Sequence, residues 1–198
     1  MKKLLFVTHM LKYTGSPRST LRMCKVALEL GYKVSVWSAE EGPFRAEFDR
    51  FGIDVDIVEP SEVHKKEYIL KIKEYNMAIC NSILTSSYAR IICRYIPTAW
   101  YIREATNLGI FLKNDPQRAF TLRHFKGLYC VSEYAATAIH QYTRQPIKVI
   151  HNCVEDEAGL ASGYIPGESD RVRFAQFGTL EHRKGYDILL DAIESLPS

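Results

Sequence analysis

No run of about 18 apolar residues occurs in the sequence, so no segment reads as a transmembrane helix. Met1-Lys2-Lys3-Leu4-Leu5-Phe6-Val7 begins like a secretory leader, but Thr8 and His9 end the apolar stretch after four residues, short of a leader's hydrophobic region. Neither G-x-G-x-x-G nor the P-loop pattern is present, nor is a C-x-x-C pair or a His/Cys cluster with ligand spacing, so no metal is expected. The net charge is only +3, from 26 basic and 23 acidic side chains, which is too small for a dedicated nucleic-acid binder. Internal repeats and low-complexity tracts are missing too. Cys24, Cys80, Cys93, Cys130 and Cys153 are odd in number and fall mostly in apolar runs, as small buried hydrophobes do in a reducing compartment. A cytoplasmic protein is the expectation.

The 198 residues are 46% hydrophobic and 25% charged, enough for one complete domain plus a remnant. Leu4–Val7, Val34–Trp37, Ile53–Val58, Met77–Cys80, Thr98–Ile102, Leu128–Val131 and Ile147–Ile150 are apolar runs of strand length. Between them lie helical stripes: Leu21, Cys24, Leu28 and Leu30; Tyr68, Ile69, Ile72 and Tyr75; Leu84, Tyr88, Ile91, Ile92 and Tyr95. Strand-helix alternation with continuous apolar strands predicts an α/β fold, a doubly wound, mostly parallel Rossmann-like sheet covered on both faces. Pro97 and Pro146 stand just before strand starts, where a missing N–H costs least. Right-handed crossovers bring the strands' C-terminal ends to one edge, the ligand edge of such sheets. That edge should carry Thr8, His9, Ser38, Asn81, Ser82, Arg103, Glu104, Ser132, His151 and Asn152.

Residues 1–154 are therefore expected to form the first domain. Residues 155–170, with five acids, three glycines and a proline, read as a loop or linker. After them, a strand at Val172–Phe177 and a helix at Tyr186–Leu196 make 171–198 the first βα unit of a second domain, or else complete the first sheet. Charge is uneven: residues 61–130 carry +6, against +1 before and −4 after. Within that stretch, 113–126 reads as a basic helix with Lys113, Arg118, Arg123 and Lys126, either a solvated surface or a peripheral membrane face.

Several motifs could carry chemistry. Thr14-Gly15-Ser16-Pro17 opens the first helix, with Ser16 suited to the N-cap and Pro17 to the first helical position. Such a terminus is a phosphate site or a plain capped turn. Asp54-Val55-Asp56 has a metal-binding spacing, but its alternation with Ile53 and Ile57 reads better as an edge strand. Arg103-Glu104 at a strand end could orient a hydroxyl or grip a phosphate, or pair with each other. Arg183 and Lys184 beside the start of the last helix conflict with its dipole unless an anion sits there.

Taken in order, the Gly15 loop, Trp100-Tyr101-Ile102-Arg103-Glu104, Val131-Ser132-Glu133, Val149-Ile150-His151-Asn152-Cys153-Val154 and Gly178 through Lys184-Gly185 resemble the N-terminal half of a family 4 retaining glycosyltransferase of GT-B fold. The resemblance implies an acceptor-binding N-terminal domain, with His9, Asn81 and Asn107 towards the acceptor and Arg103 and Glu104 in the catalytic position. It implies a donor diphosphate held by Gly15, Ser16, Arg183 and Lys184, and a second domain that contacts the nucleotide. The implied partners are a nucleotide-diphosphate sugar and a glycan or lipid-linked acceptor of bacterial surface assembly, with peripheral membrane contact, no cofactor and no obligatory metal. Thr179 stands where the family often has Arg, Arg103 where many members have His, and Cys153 where Gly is common. The donor-gripping glutamates would lie beyond Ser198, so this part alone is expected to be inactive. A non-catalytic sugar- or anion-binding module is the alternative. A nicotinamide oxidoreductase using Glu40 or Glu41 is disfavoured by the missing glycines around Gly15.

Overall fold

In the computed structural model, residues 2–153, 174–178, 180 and 182–196 are described. The chain divides into two compact units, Met1–Val154 and Glu155–Ser198. The linker expected at 155–170 lies outside the described residues.

The first unit is built on strands β1 (Lys3–Thr8), β2 (Lys33–Ser38), β3 (Asp54–Ile57), β4 (Met77–Asn81), β5 (Thr98–Ile102), β6 (Leu128–Cys130) and β7 (Ile147–Val149). They form one seven-stranded sheet in the order β3-β2-β1-β4-β5-β6-β7, with every pair parallel. This is the doubly wound Rossmann-like sheet expected from the apolar runs, with its switch point between β1 and β4. The helices are α1 (Gly15–Glu29), α2 (Arg45–Asp49), α3 (Lys66–Ile72), α4 (Ser86–Ile92), α5 (Leu108–Lys113), α6 (Pro116–His124) and α7 (Glu133–His140).

Alternation along β1 divides the core. Phe6 packs with Leu21, Cys24 and Ala27 of α1 and Phe48 of α2. Leu5 and Val7 face the other way, into a cluster with Ile72 of α3, Tyr88 and Ile92 of α4 and Ile139 of α7. Right-handed crossovers produce this division, because connections leading left from β1 lie on one face and those leading right lie on the other. On the α1 side, the sheet beyond β1 has no covering helix among the described residues. Met77, Ile79, Ala99 and Tyr101 there line an apolar groove of about 470 Å³ beside α1.

Two helix ends close by the same device. Gly31 and Gly52, at φ of 80° and 65°, let Tyr32 N–H reach Ala27 O and Ile53 N–H reach Phe48 O, which satisfies carbonyls left over at the ends of α1 and α2. Leu30 is consequently the C-cap of α1 and is 70% exposed; it does not join the helix's apolar stripe. The basic helix expected over 113–126 is two elements. Asp115 ends the first turn of chain after α5 and caps α6, accepting from Arg118 N–H at 3.1 Å, and Pro116 fills the first helical position, where its missing N–H is unneeded.

In the second unit, α8 spans Tyr186–Glu194. The strand expected at Val172–Phe177 is not formed over 174–177, and Val172 lies outside the described residues. A strand needs a partner for its N–H and C=O groups, and the described residues of this unit offer none. None of the described α8 residues is buried, and Ile188, Leu190 and Ile193 are exposed.

Candidate functional site

The C-terminal strand ends bring His9, Asn81, Ser82, Arg103, Glu104, Ser132, His151 and Asn152 to one rim, as expected. The first turn of α1 meets it there. The N-cap of α1 is Thr14, in extended conformation, and not Ser16; Pro17 is the third helical residue. Pro17 is tolerated because N–H groups of the first turn have no intrahelical acceptor anyway. Thr14 makes no side-chain capping bond and no acidic residue occupies the first turn, so α1 presents uncompensated N–H groups and the positive end of its dipole. Among the described residues, a Cβ at Gly15 would meet nothing within 4 Å beyond its own chain neighbours and helix backbone.

Asn81 is fully buried. Its amide donates to Ser16 O at 3.0 Å and to Thr20 Oγ1 at 2.8 Å, tying the end of β4 to the first turn of α1. Its Oδ1 is buried without a partner. Asn81 therefore acts on the rim by placing α1.

Glu104 is the most constrained group of the rim. Its Oε1 accepts from Ser82 Oγ at 2.7 Å, and its Oε2 accepts from Ile83 N–H at 2.8 Å and from Arg103 N–H at 3.1 Å. Ser82 itself has φ 89° and ψ 151°, the one positive φ outside glycine among the described residues. That region costs a non-glycine residue about 1–3 kcal/mol and persists only where the surroundings over-determine it. They do so here. Ser82 N–H donates to Tyr101 O, its carbonyl accepts from Trp100 Nε1 and Thr85 Oγ1, and its hydroxyl accepts from Leu84 N–H.

The alternative that Arg103 and Glu104 pair with each other is not realised. Arg103 Nη1 donates to Ser19 Oγ of α1 at 2.5 Å and to Asn152 Oδ1 after β7 at 3.0 Å. Burial lowers the Arg103 pKa from its ordinary value, with Tyr101 and Glu104 opposing and Arg22 adding to the fall. The guanidinium thus links three elements around the rim, while among the described residues no cation is bonded to the Glu104 carboxylate. A carboxylate has about four acceptor positions. Three donors reach it among the described residues, from Ser82, Ile83 and Arg103.

His9 follows β1 at the same rim, half-buried, with Nδ1 buried and without a hydrogen-bond partner. Burial lowers its pKa, and the charges of Glu104 and Glu40 only partly oppose that. The imidazole is therefore neutral at neutral pH and able to accept or donate one hydrogen bond. Asn107 is the exposed N-cap of α5, with no side-chain capping bond. Ser132 instead caps α7, accepting from Ala135 N–H at 3.1 Å.

In the second unit, Lys184 is exposed in a one-turn 3₁₀ segment, His182–Lys184, before Gly185, the left-handed N-cap of α8. Its aliphatic stem borders Gly178, and its carbonyl accepts from Gln176 Nε2. The Arg183 side chain and Thr179 lie outside the described residues. Asp54 and Asp56 lie at alternate positions of edge strand β3; Asp56 is 3.7 Å from Lys71 Nζ, as befits a solvated strand face. No group of three or more metal-ligating side chains occurs among the described residues.

Reading the sequence alone places Ser82 at the rim, but nothing in a serine signals its positive φ, and it misses Ser19, which lies on a helix face whose neighbour, Arg103, is 84 positions away.

No protein-family model matches the chain, and no curated protein matches it. Solved structures do. Anabaena HepE in complex with UDP and glucose aligns with 100% of this chain and 59% of its own, at 18% identity and a TM-score of 0.70. The same protein in complex with UDP-glucose aligns with 82% of this chain and 48% of its own, at 16% identity and a TM-score of 0.64. A glycosyltransferase from Rickettsia africae aligns with 83% of this chain and 46% of its own, at 13% identity and a TM-score of 0.54. The chain thus spans 46 to 59% of the length of these proteins and shares their fold over that span.

Proposed function

We propose that this chain is the acceptor-binding part of a retaining glycosyltransferase of GT-B architecture, transferring a sugar from a nucleotide diphosphate to a hydroxyl. The observation that carries the reading is the Glu104 carboxylate, held by three donors at the ligand edge of a sheet whose fold is shared with HepE, solved with UDP-glucose and with UDP and glucose. Glu104 accepts a hydrogen bond from the acceptor hydroxyl, His9 contacts the same substrate, and Asn107 borders it from α5. The N-terminus of α1 at Gly15 and Ser16 stabilises the departing diphosphate. In the second unit, Lys184 and Arg183 are the basic side chains that bind donor phosphate.

In the transfer, the bond from the anomeric carbon to the diphosphate oxygen breaks and a bond to the acceptor oxygen forms on the same face. The nucleoside diphosphate leaves with the electron pair, and the hydroxyl proton passes to the Glu104 carboxylate to which the hydroxyl is bonded. No metal is needed where backbone N–H groups and basic side chains neutralise the leaving charge. The acceptor is a glycan or lipid-linked alcohol of polysaccharide assembly, handled at the cytoplasmic side of a membrane.

The test is UDP release from UDP-glucose and other UDP-hexoses by the complete polypeptide. Lys184→Ala is expected to lower kcat/KM by one to two powers of ten, as a lost contact to a charged group of about 1.5–3 kcal/mol requires. Near-normal turnover would remove Lys184 from the donor site. Nucleotide-sugar binding by these 198 residues, with no transfer in any longer form, would instead make the chain a non-catalytic binding module.

A further inference from the structure

A cleft of about 470 Å³ opens on the flank of the first unit, between α5 and α7. Thr106, Ile110, Tyr134, Thr137, Gln141 and Tyr142 line it. Its upper end adjoins the rim, because Ala105 directly follows Glu104 and Tyr134 is the second residue of α7, just past β6. From there it descends between the two helices to Lys113 and Gln141. Between Tyr134 and Gln141 the chain of α7 rises about 10 Å, the length of roughly two hexose units.

The lining is neutral and of two kinds. Tyr134 is 67% exposed and Ile110 is 60% exposed, so an aromatic and an aliphatic surface face solvent there. Thr106 and Gln141 are exposed as well, and among the described residues neither of these side chains nor the Tyr142 hydroxyl makes a hydrogen bond. Thr137 Oγ1 donates to Glu133 O at 3.0 Å and retains its acceptor capacity. Gly109 makes room for the Tyr142 hydroxyl, from which a Cβ at that position would lie 2.8 Å. Among the described residues no carboxylate lines the cleft, and Lys113 at the lower end is its one cation.

This lining discriminates between ligand classes. A peptide strand needs an open sheet edge, and β5 and β6 are paired on both sides. An anion would draw on Lys113 and leave the rest of the cleft unused. A glycan uses all of it: the C–H faces of its rings pack on an aromatic or aliphatic surface, and its hydroxyls exchange hydrogen bonds with hydroxyl and amide side chains.

We propose that the cleft between α5 and α7 is an oligosaccharide subsite, holding the two sugar units that follow the reacting one in a neutral glycan. Tyr134 is the stacking platform, and Gln141 and the Tyr142 hydroxyl are hydrogen-bond partners. The inference rests on the glycosyltransferase reading only for which unit lies at Glu104. Its consequence is a preference for acceptors of three or more units over the terminal monosaccharide.

The experiment is binding of the complete polypeptide to an array of immobilised neutral mono-, di- and trisaccharides and their sulfated counterparts. A neutral trisaccharide is expected to be held well above its monosaccharide. Tyr134→Ala should weaken that binding about tenfold, and Gln141→Ala about threefold or more. Phe120→Ala, which removes a ring that is 61% exposed outside the cleft, should leave it unchanged. All three positions are exposed, so thermal midpoints equal to that of the unaltered protein should verify folding. Absence of binding to every neutral oligosaccharide, or equal binding by Tyr134→Ala, would overturn the proposal. Binding of sulfated glycans alone, lost in Lys113→Ala, would overturn it too and make the cleft an anion site. In transfer assays Tyr134→Ala should raise the KM for the trisaccharide and leave kcat and the nucleotide-sugar KM unchanged. Array binding involves no sugar transfer, so glycan binding without UDP-hexose turnover would overturn the transfer reading and leave the subsite standing. Turnover with no preference for longer acceptors would do the reverse.

Discussion

Ser82 and Glu104 form a single device in which backbone strain at one residue sets the direction of the other. Ser82→Ala keeps the φ of 89° and removes the hydroxyl's bonds to Glu104 and Leu84. It is expected to destabilise the fold by about 1–3 kcal/mol. Ser82→Gly loses the same bonds but accommodates the φ without a Cβ, so it should be about 1–2 kcal/mol more stable than the alanine variant in denaturant unfolding. Equal stabilities would mean that the conformation carries no strain. His9 gives a pH signature. Its folded pKa lies below the ordinary value of about 6.5, mainly through burial, so the unfolded chain binds the proton more readily. The associated stability is present above that ordinary value and is lost as pH falls through the folded pKa. Unfolding at pH values from about 7.5 down to about 5 should show a steeper decline for the unaltered chain than for His9→Gln; identical slopes would contradict the account.

The helix end that faces the rim was only partly legible from sequence. Gly15, Ser16 and Pro17 announce a helix start, but which residue caps it depends on backbone geometry, and Thr14 takes the place that suits Ser16. The cause is tertiary: Ser16 O accepts from Asn81, 65 positions away, and a contact of that range leaves no periodic trace. Asp115-Pro116 was equally informative in hindsight, because a residue before proline is driven out of the helical region, yet the run of basic residues across it suggests one helix. Central strands, in contrast, were legible: burial on both faces demands side chains of one kind, and Thr98–Ile102 coincides with its apolar run. Over 174–177 the expected strand is not formed, and the described residues of that unit offer its backbone no neighbouring strand. Gly15 supplies the prediction at this scale. Among the described residues its Cβ would meet nothing within 4 Å beyond its own chain neighbours and helix backbone, so Gly15→Ala should leave the thermal midpoint unchanged or slightly raised. It should also weaken nucleotide-sugar binding by the complete polypeptide about tenfold or more, because a methyl group then stands where the diphosphate approaches. Unchanged affinity, read by calorimetry, would remove α1 from the donor site.

At the scale of the whole molecule, the doubly wound topology explains why residues as distant as His9, Ser82, Glu104 and Asn152 share one rim. Parallel strands and right-handed crossovers allow no other arrangement of their C-terminal ends. Fold alone does not specify chemistry, and sheets of this type serve many reactions. The central claim therefore rests on the Glu104 carboxylate as the group that receives the acceptor hydroxyl. The most direct measurement is UDP release from UDP-hexoses by the complete polypeptide in the presence of glycan acceptors, compared with Glu104→Gln and Glu104→Asp. The account predicts that Glu104→Gln lowers kcat by about a hundredfold or more, with the nucleotide-sugar KM little changed, and that Glu104→Asp recovers part of the loss. Turnover by Glu104→Gln equal to that of the unaltered protein would contradict it.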